Sequence, residues 1–186
     1  MLSYKVKIEG KSPLMLAKNS GILKMPENLS DEQRAEVFCY RNKKGNLAVP
    51  VTNMKGSLRG GYTYGIGRGS EDMVLEFEQD VNIETVDEDD PVYLDLKKSK
   101  YDEIFKRSVL IGKDKRGRFK AADMAVNPLL TEWDLTFVIN CGLLGVTEKD
   151  LRKIIETTGN RIGLCGFRKG GYGRFKIVEF EQLTET

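Results

Sequence analysis

From Leu2 to Ile8 apolar and polar positions alternate, with Leu2, Tyr4, Val6 and Ile8 on one face and Ser3, Lys5 and Lys7 on the other. This is the period of a half-buried strand. A second alternation sets Trp133, Leu135, Phe137 and Ile139 against Asp134, Thr136, Val138 and Asn140, which makes Trp133 a core residue rather than a base-stacking platform. Helical signals lie between and after these strands. Ser30-Asp-Glu-Gln33 is a capping box that predicts a short helix to about Tyr40. Thr147-Glu-Lys-Asp150 has the same form with aspartate in the last place, followed by a buried face of Leu151, Ile154 and Ile155 and a stop at Gly159. Asn42–Asn46 reads as a turn and Leu47–Val51 as extended, because Pro50 restricts the residue before it.

Thr52 or Asn53 is then placed to cap a helix in which Met54, Leu58 and Tyr62 recur at four-residue spacing, with Lys55 and Arg59 sharing a different face. Gly56, Gly60 and Gly61 cost this helix about 2–3 kcal/mol relative to alanine. Either a backbone or ligand approaches closely there, or the helix stops at Gly60. Met73–Phe77, Val81–Val86 and Pro91–Leu96 read as strand-like pieces. The chain reads as irregular from Pro13 to Ser30 and as charged and irregular over residues 97–130, where Lys113–Arg118 forms the tip of a basic loop or hairpin. A last strand is expected over Arg174–Phe180.

Strand, helix, strands, strand, helix, strand is the split βαβ order of an α+β, ferredoxin-like fold, the palm used by RNA-recognition modules. At 186 residues the chain suits one domain with a substantial core. Bulk charge says little, since 30 basic and 28 acidic residues leave a net charge of +2. Its distribution says more. Val37–Ser70 holds six bases and no acid, Glu71–Asp90 ten acids and no Lys or Arg, and Lys97–Lys120 ten bases against three acids. Such segregation predicts a dipolar surface able to attract a polyanion, although alternating exposed loops produce the same pattern.

Three scattered cysteines make no disulfide framework, and the absence of histidine argues against a zinc site. It also removes Ser-His and Cys-His nucleophile pairs and histidine acid–base catalysis. Metal-dependent chemistry through carboxylates stays open. Asp87-Glu-Asp-Asp90 reads either as a divalent-cation site or as a solvated turn before Pro91. The opening residues read as a strand rather than a signal peptide, and no apolar run is long enough to span a bilayer, so a cytoplasmic protein with no membrane partner and no cofactor is expected.

Residues 159–176 concentrate six glycines and five basic residues with no acid. Glycines admit positive φ and close backbone approach, and clustered N–H groups with Arg and Lys suit phosphate oxygens. The loop is therefore a candidate binder of a phosphate backbone. A flexible, solvated β-loop is the plainer alternative.

Gly163-Leu-Cys-Gly-Phe-Arg-Lys-Gly-Gly-Tyr-Gly173 resembles the glycine-rich loop of the RAMP superfamily of CRISPR-associated RNA-binding proteins, with Cys165 where that pattern has its second glycine. Val49-Pro-Val-Thr-Asn-Met-Lys-Gly-Ser-Leu-Arg59 is similar to the other recurring stretch of the superfamily, matching at Pro50, Lys55, Gly56, Leu58 and Arg59 and departing at Val51 and Asn53. Lys11-Ser-Pro-Leu14 resembles the opening of these proteins. Asn127-Pro-Leu-Leu-Thr-Glu-Trp133 is similar to RAMP-like proteins of bacteriophages and prophages. The resemblance implies a palm with insertions at about 15–49 (finger-like) and 89–130 (thumb-like). It further implies that the helix after Thr52 and the glycine loop lie together and contact single-stranded RNA.

On that resemblance Lys55, Arg59, Arg168, Lys169 and Arg174 contact phosphates, Tyr172 stacks on a base or ribose, and Gly163, Gly171 and Gly173 shape the loop. For Arg174 a surface salt bridge is the alternative. RAMP subunits that cut RNA place an aspartate upstream of the Pro-Gly-Ser stretch. Here Asp31, Glu32 and Glu36 make no match, so binding without cleavage is expected. The expected partners are single-stranded RNA or single-stranded DNA, with self-association or a ribonucleoprotein complex. A phage-encoded protein-interaction module that engages or mimics a host effector subunit is the competing reading, and a nuclease using Asp87 or Asp89 a third.

Overall fold

The computed structural model describes residues 2–18, 28–66, 71–86, 90–113, 116, 119–142 and 145–183. Both alternating segments are strands, β1 (Leu2–Gly10) and β8 (Asp134–Cys141), and they pair antiparallel at the centre of a four-stranded sheet. Between them come β2 (Leu14–Met15), α1 (Asp31–Val37), β3 (Ala48–Pro50), α2 (Val51–Gly65), α3 (Glu71–Asp80), β4 (Val81–Thr85), β5 (Tyr93–Asp95), β6 (Glu103–Lys113) and β7 (Phe119–Leu130). α4 (Glu148–Thr157) and β9 (Phe175–Gln182) close the chain. The main sheet runs β4-β8-β1-β9, all antiparallel, with a register shift between Lys7 and Ile8 where β1 meets β9. With the helices of α2–α3 in the first crossover and α4 in the second, this is a ferredoxin-like α+β fold. Two smaller sheets, β2-β7-β6 and β3-β5, lie outside it.

The core follows from the alternation. Tyr4, Val6 and Ile8 of β1 and Leu135, Phe137 and Ile139 of β8 are buried on one face beneath Met54, Leu58 and Tyr62 of α2 and Leu151, Ile154 and Ile155 of α4. Each fully buried side chain of this size stabilises the fold by about 1.5–3 kcal/mol. Trp133 is buried with them, its ring edge-on to Phe175. Both capping boxes form, with Ser30 and Gln33 bonded reciprocally and Thr147 and Asp150 likewise.

Several expectations need correction. Met73–Phe77 is helical, because burial falls on Val74 and Phe77, three residues apart, and Phe77 stacks on Tyr62 at 4.4 Å. Met73 and Leu75, which a strand would bury beside Phe77, are exposed. Residues 97–130 are not irregular but mostly a long hairpin of β6 and β7, paired from Glu103–Leu129 to Lys113–Phe119. Neither Thr52 nor Asn53 caps α2; the helix begins at Val51 behind Pro50, with no side-chain cap. Nor does it stop at Gly60, since it runs to Gly65. A Cβ on Gly61 would lie 1.9 Å from Thr158 Oγ1 and 2.6 Å from the Ile154 carbonyl, so glycine lets α2 cross α4 closely. Gly159 does not end the second helix either. The chain continues through a π turn (Thr158–Ile162), and Gly159 is required where the Phe175 carbonyl would meet a Cβ at 2.3 Å.

Candidate nucleic-acid interface

The loop between the π turn and β9 is built from conformations that most side chains avoid. Gly163, Gly171 and Gly173 have φ of 79°, 87° and 70°, and two residues that are not glycine, Cys165 and Phe167, also lie at positive φ, 59° and 49°. Such residues persist only where surrounding contacts hold them. Leu164 N–H donates to the Gly173 carbonyl at 3.0 Å, and a Cβ on Gly173 would stand 2.2 Å from the Leu164 carbonyl oxygen. A single 3₁₀ turn (Arg168–Gly170) forms the tip.

Two distant segments fix this loop. Ser12 Oγ donates to the Gly171 carbonyl at 2.8 Å and accepts the Arg174 N–H at 2.9 Å, while the Pro13 and Met15 carbonyls accept from Gly173 and Gly166. Trp133 Nε1 donates to the Ser12 carbonyl at 2.9 Å and so holds the Lys11–Leu14 segment itself. From α2, Asn53 Oδ1 accepts the Cys165 N–H at 3.0 Å, and Arg168 Nη1 donates to Ser57 Oγ at 3.3 Å. The three segments singled out in the sequence therefore meet.

Where α2 faces the π turn and the loop, an open groove of about 520 Å³ is lined by Arg59, Arg161, Arg168, Lys169 and Arg174, with Tyr64 among them. Among the described residues no carboxylate lines it. Arg59 reaches out of this set to Glu78, Nη1 to Oε2 3.0 Å. Arg174 forms no salt bridge among the described contacts; its Nη2 donates to the Arg168 carbonyl at 3.3 Å. Gly56 and Gly60 also line the groove; a Cβ on Gly56 would meet open space, whereas one on Gly60 would stand 3.2 Å from the Ile162 side chain.

The sequence-predicted residues are distributed unevenly around this groove. Arg59, Arg168, Lys169 and Arg174 line it, whereas Lys55 sits on α2 outside the lining. Gly163 and Gly173 shape the loop, and Gly171 has open space where a side chain would stand. Tyr172 does not line the groove. Its ring lies 5.6 Å from both Phe105 of β6 and Phe167 of the loop. Arg161, Tyr64, Ser12 and Asn53 were not among the expected site residues. Arg161 was visible as one of the five bases of residues 159–176, but Tyr64 carried no signal because only the fold brings the end of α2 to the loop.

Desolvation pushes the Cys165 thiol up to about 12, against the opposing charge of Arg168. Of the carboxylates considered for catalysis, Asp31 pairs with Lys106 and Glu36 with Arg41 at 2.6 Å. Asp90 is buried and accepts the Lys43 N–H at 2.8 Å, as a turn residue does, and Asp87–Asp89 lie outside the described residues. Among the described residues no group of three or more His, Cys, Asp or Glu could hold a metal ion, and no helix is long and apolar enough to cross a membrane.

The fold has a solved counterpart. Over 98% of its length the chain is similar to a chain in the cryo-EM structure of the Type III-B Cmr-beta bound to cognate target RNA, with a TM-score of 0.52 and 13% identity. The likeness is one of fold, and it spans 61% of the length of that chain. No protein-family model and no curated protein matches the sequence.

Proposed function

We propose that this protein is a RAMP-type, CRISPR-associated subunit that holds single-stranded RNA by its phosphates within a ribonucleoprotein assembly. The observation that carries the reading is the groove: five cations from α2, the π turn and the glycine loop converge, with no carboxylate among the described residues that line the space between them. Arg161, Arg168, Lys169 and Arg174 take phosphate oxygens, and Arg59 exchanges its exposed partner Glu78 for a phosphate. Gly163, Gly171 and Gly173 keep the loop backbone close to the strand, and Lys55 meets the RNA outside the groove. The segments at about 15–49 and 89–130 act as finger and thumb around the same strand. In this reading the RNA is held rather than cut, and among the described residues the groove lining is cationic and neutral.

The fold likeness to a chain from an RNA-bound assembly supports the class of partner. The test is equilibrium binding of the wild-type protein to a labelled single-stranded RNA over a salt series, beside single-stranded DNA of the same sequence. Three to five phosphate contacts predict a log–log salt slope of about −2 to −3.5. An absence of binding to either strand at low salt overturns the reading and directs attention to a protein partner.

A further inference from the structure

The glycine loop has two sides. Arg168, Lys169 and Arg174 face the groove beside α2, while Phe167 and Tyr172 face the β6–β7 hairpin, where with Phe105 they form a three-ring cluster. Phe167 lies 6.5 Å from Phe105 and 5.6 Å from Tyr172 between centroids, and the Arg107 guanidinium carbon stands 4.6 Å from the Phe167 centroid. Arg107 Nε is buried with no hydrogen-bond acceptor among the described contacts, and the guanidinium lies against the Phe167 ring.

A clasp joining loop to hairpin would bury Phe167. Instead Phe167 is 39% exposed, at a backbone φ of 49° that favours glycine in a loop already rich in it. A large apolar side chain kept both exposed and at an unfavourable backbone angle points to a ligand that covers it.

We propose that Phe167, with Arg107 over it and Tyr172 and Phe105 behind it, is a stacking site for one unpaired nucleobase of the strand whose phosphates lie in the groove. This rests on the reading of the groove given above. The chemistry matches: a π face and a guanidinium accept any base, and the adjacent residues Arg168 and Lys169 fix the phosphate beside it. The π face and guanidinium select for unpaired bases and not for sequence, since every base offers a face to stack.

The test compares an oligouridylate with a strand of equal length carrying stable abasic residues. Wild-type protein is expected to bind the base-bearing strand about 5- to 100-fold more tightly, the range of one stacked base. Phe167→Ala removes that preference and leaves the salt slope unchanged, and Phe167→Trp retains both. Equal wild-type affinity for the two strands overturns the stacking site while the groove stands, and that measurement needs no variant to fold. Equal losses on both strands in Phe167→Ala also overturn it, since they mark a structural role. Failure of the wild type to bind either strand overturns the groove and the stacking site together.

Discussion

The open face of the four-stranded sheet and the groove beside α2 are both polar, exposed surfaces, but their charges are arranged oppositely. On the sheet, cations stand across from anions. Lys7 pairs with Glu179 and Lys176 with Glu9, while Ser3 donates to Asn140, and Asn140 and Asn82 both donate to Glu84. On this face cross-strand neighbours satisfy one another. It also lacks aromatic rings at its outward β1 positions Ser3, Lys5, Lys7 and Glu9 and their β8 partners Asn140, Val138, Thr136 and Asp134, so it offers no platform for stacked bases of the kind RNA-recognition sheets carry. In the groove five cations converge, and among the described residues only Arg59 has a carboxylate partner. Like charges gathered without counter-charges repel, and an external polyanion relieves them. Two surfaces of one fold thus differ in how their charges are paired, and variants of each surface test whether that difference decides which one binds.

The largest expected effect tests whether the loop is the binding element. Gly173→Ala forces a side chain at φ 70° against the Leu164 carbonyl at 2.2 Å. It should destabilise the protein by about 2–4 kcal/mol in urea unfolding and weaken RNA binding. RNA affinity unchanged in the folded variant would detach the loop from the groove. Next, Arg168→Ala combined with Lys169→Ala should lower affinity and reduce the magnitude of the salt slope by about 1–2, measured by salt titration. An unchanged slope would remove the loop cations from phosphate contact.

Asn53→Ala tests the tie between α2 and the loop. The Cys165 N–H loses its acceptor, at a cost of about 1–3 kcal/mol. Hydrogen exchange at Cys165 should accelerate more than exchange in β1, and uniform acceleration would show that the tie is not local. The smallest effect is expected on the sheet face. Lys5→Ala with Lys7→Ala should leave the salt slope for RNA unchanged and cost at most about 1 kcal/mol, the ceiling for an exposed pair such as Lys7–Glu179. A slope reduced as much as in the loop variant would erase the contrast between the two surfaces.

Elements governed by near neighbours were legible in the chain. The alternation of β1 and β8, the two capping boxes and the buried stripe of α4 need only residues two to four positions apart, and all formed as their patterns require. Short apolar runs were not legible. Met73–Phe77 fits a strand or a helix until Tyr62 supplies a stacking partner for Phe77. The hairpin of residues 103–130 was hidden because charged residues along much of it mask the alternation that marks a strand.

The candidate site divides in the same way. The glycine content and positive charge of the loop are properties of the sequence and mark it there. That Ser12 reaches Arg174 across 162 residues and Asn53 reaches Cys165 across 112 was decided only by the tertiary structure. So was the separation of the loop into a cationic side and an aromatic side. Local patterns encode which residues can form a strand, a cap or a turn, because those interactions close within a few bonds of chain. Which of these pieces share a groove depends on how the β1–β8 and β1–β9 pairings fold the chain back on itself, and no short window of sequence contains that information.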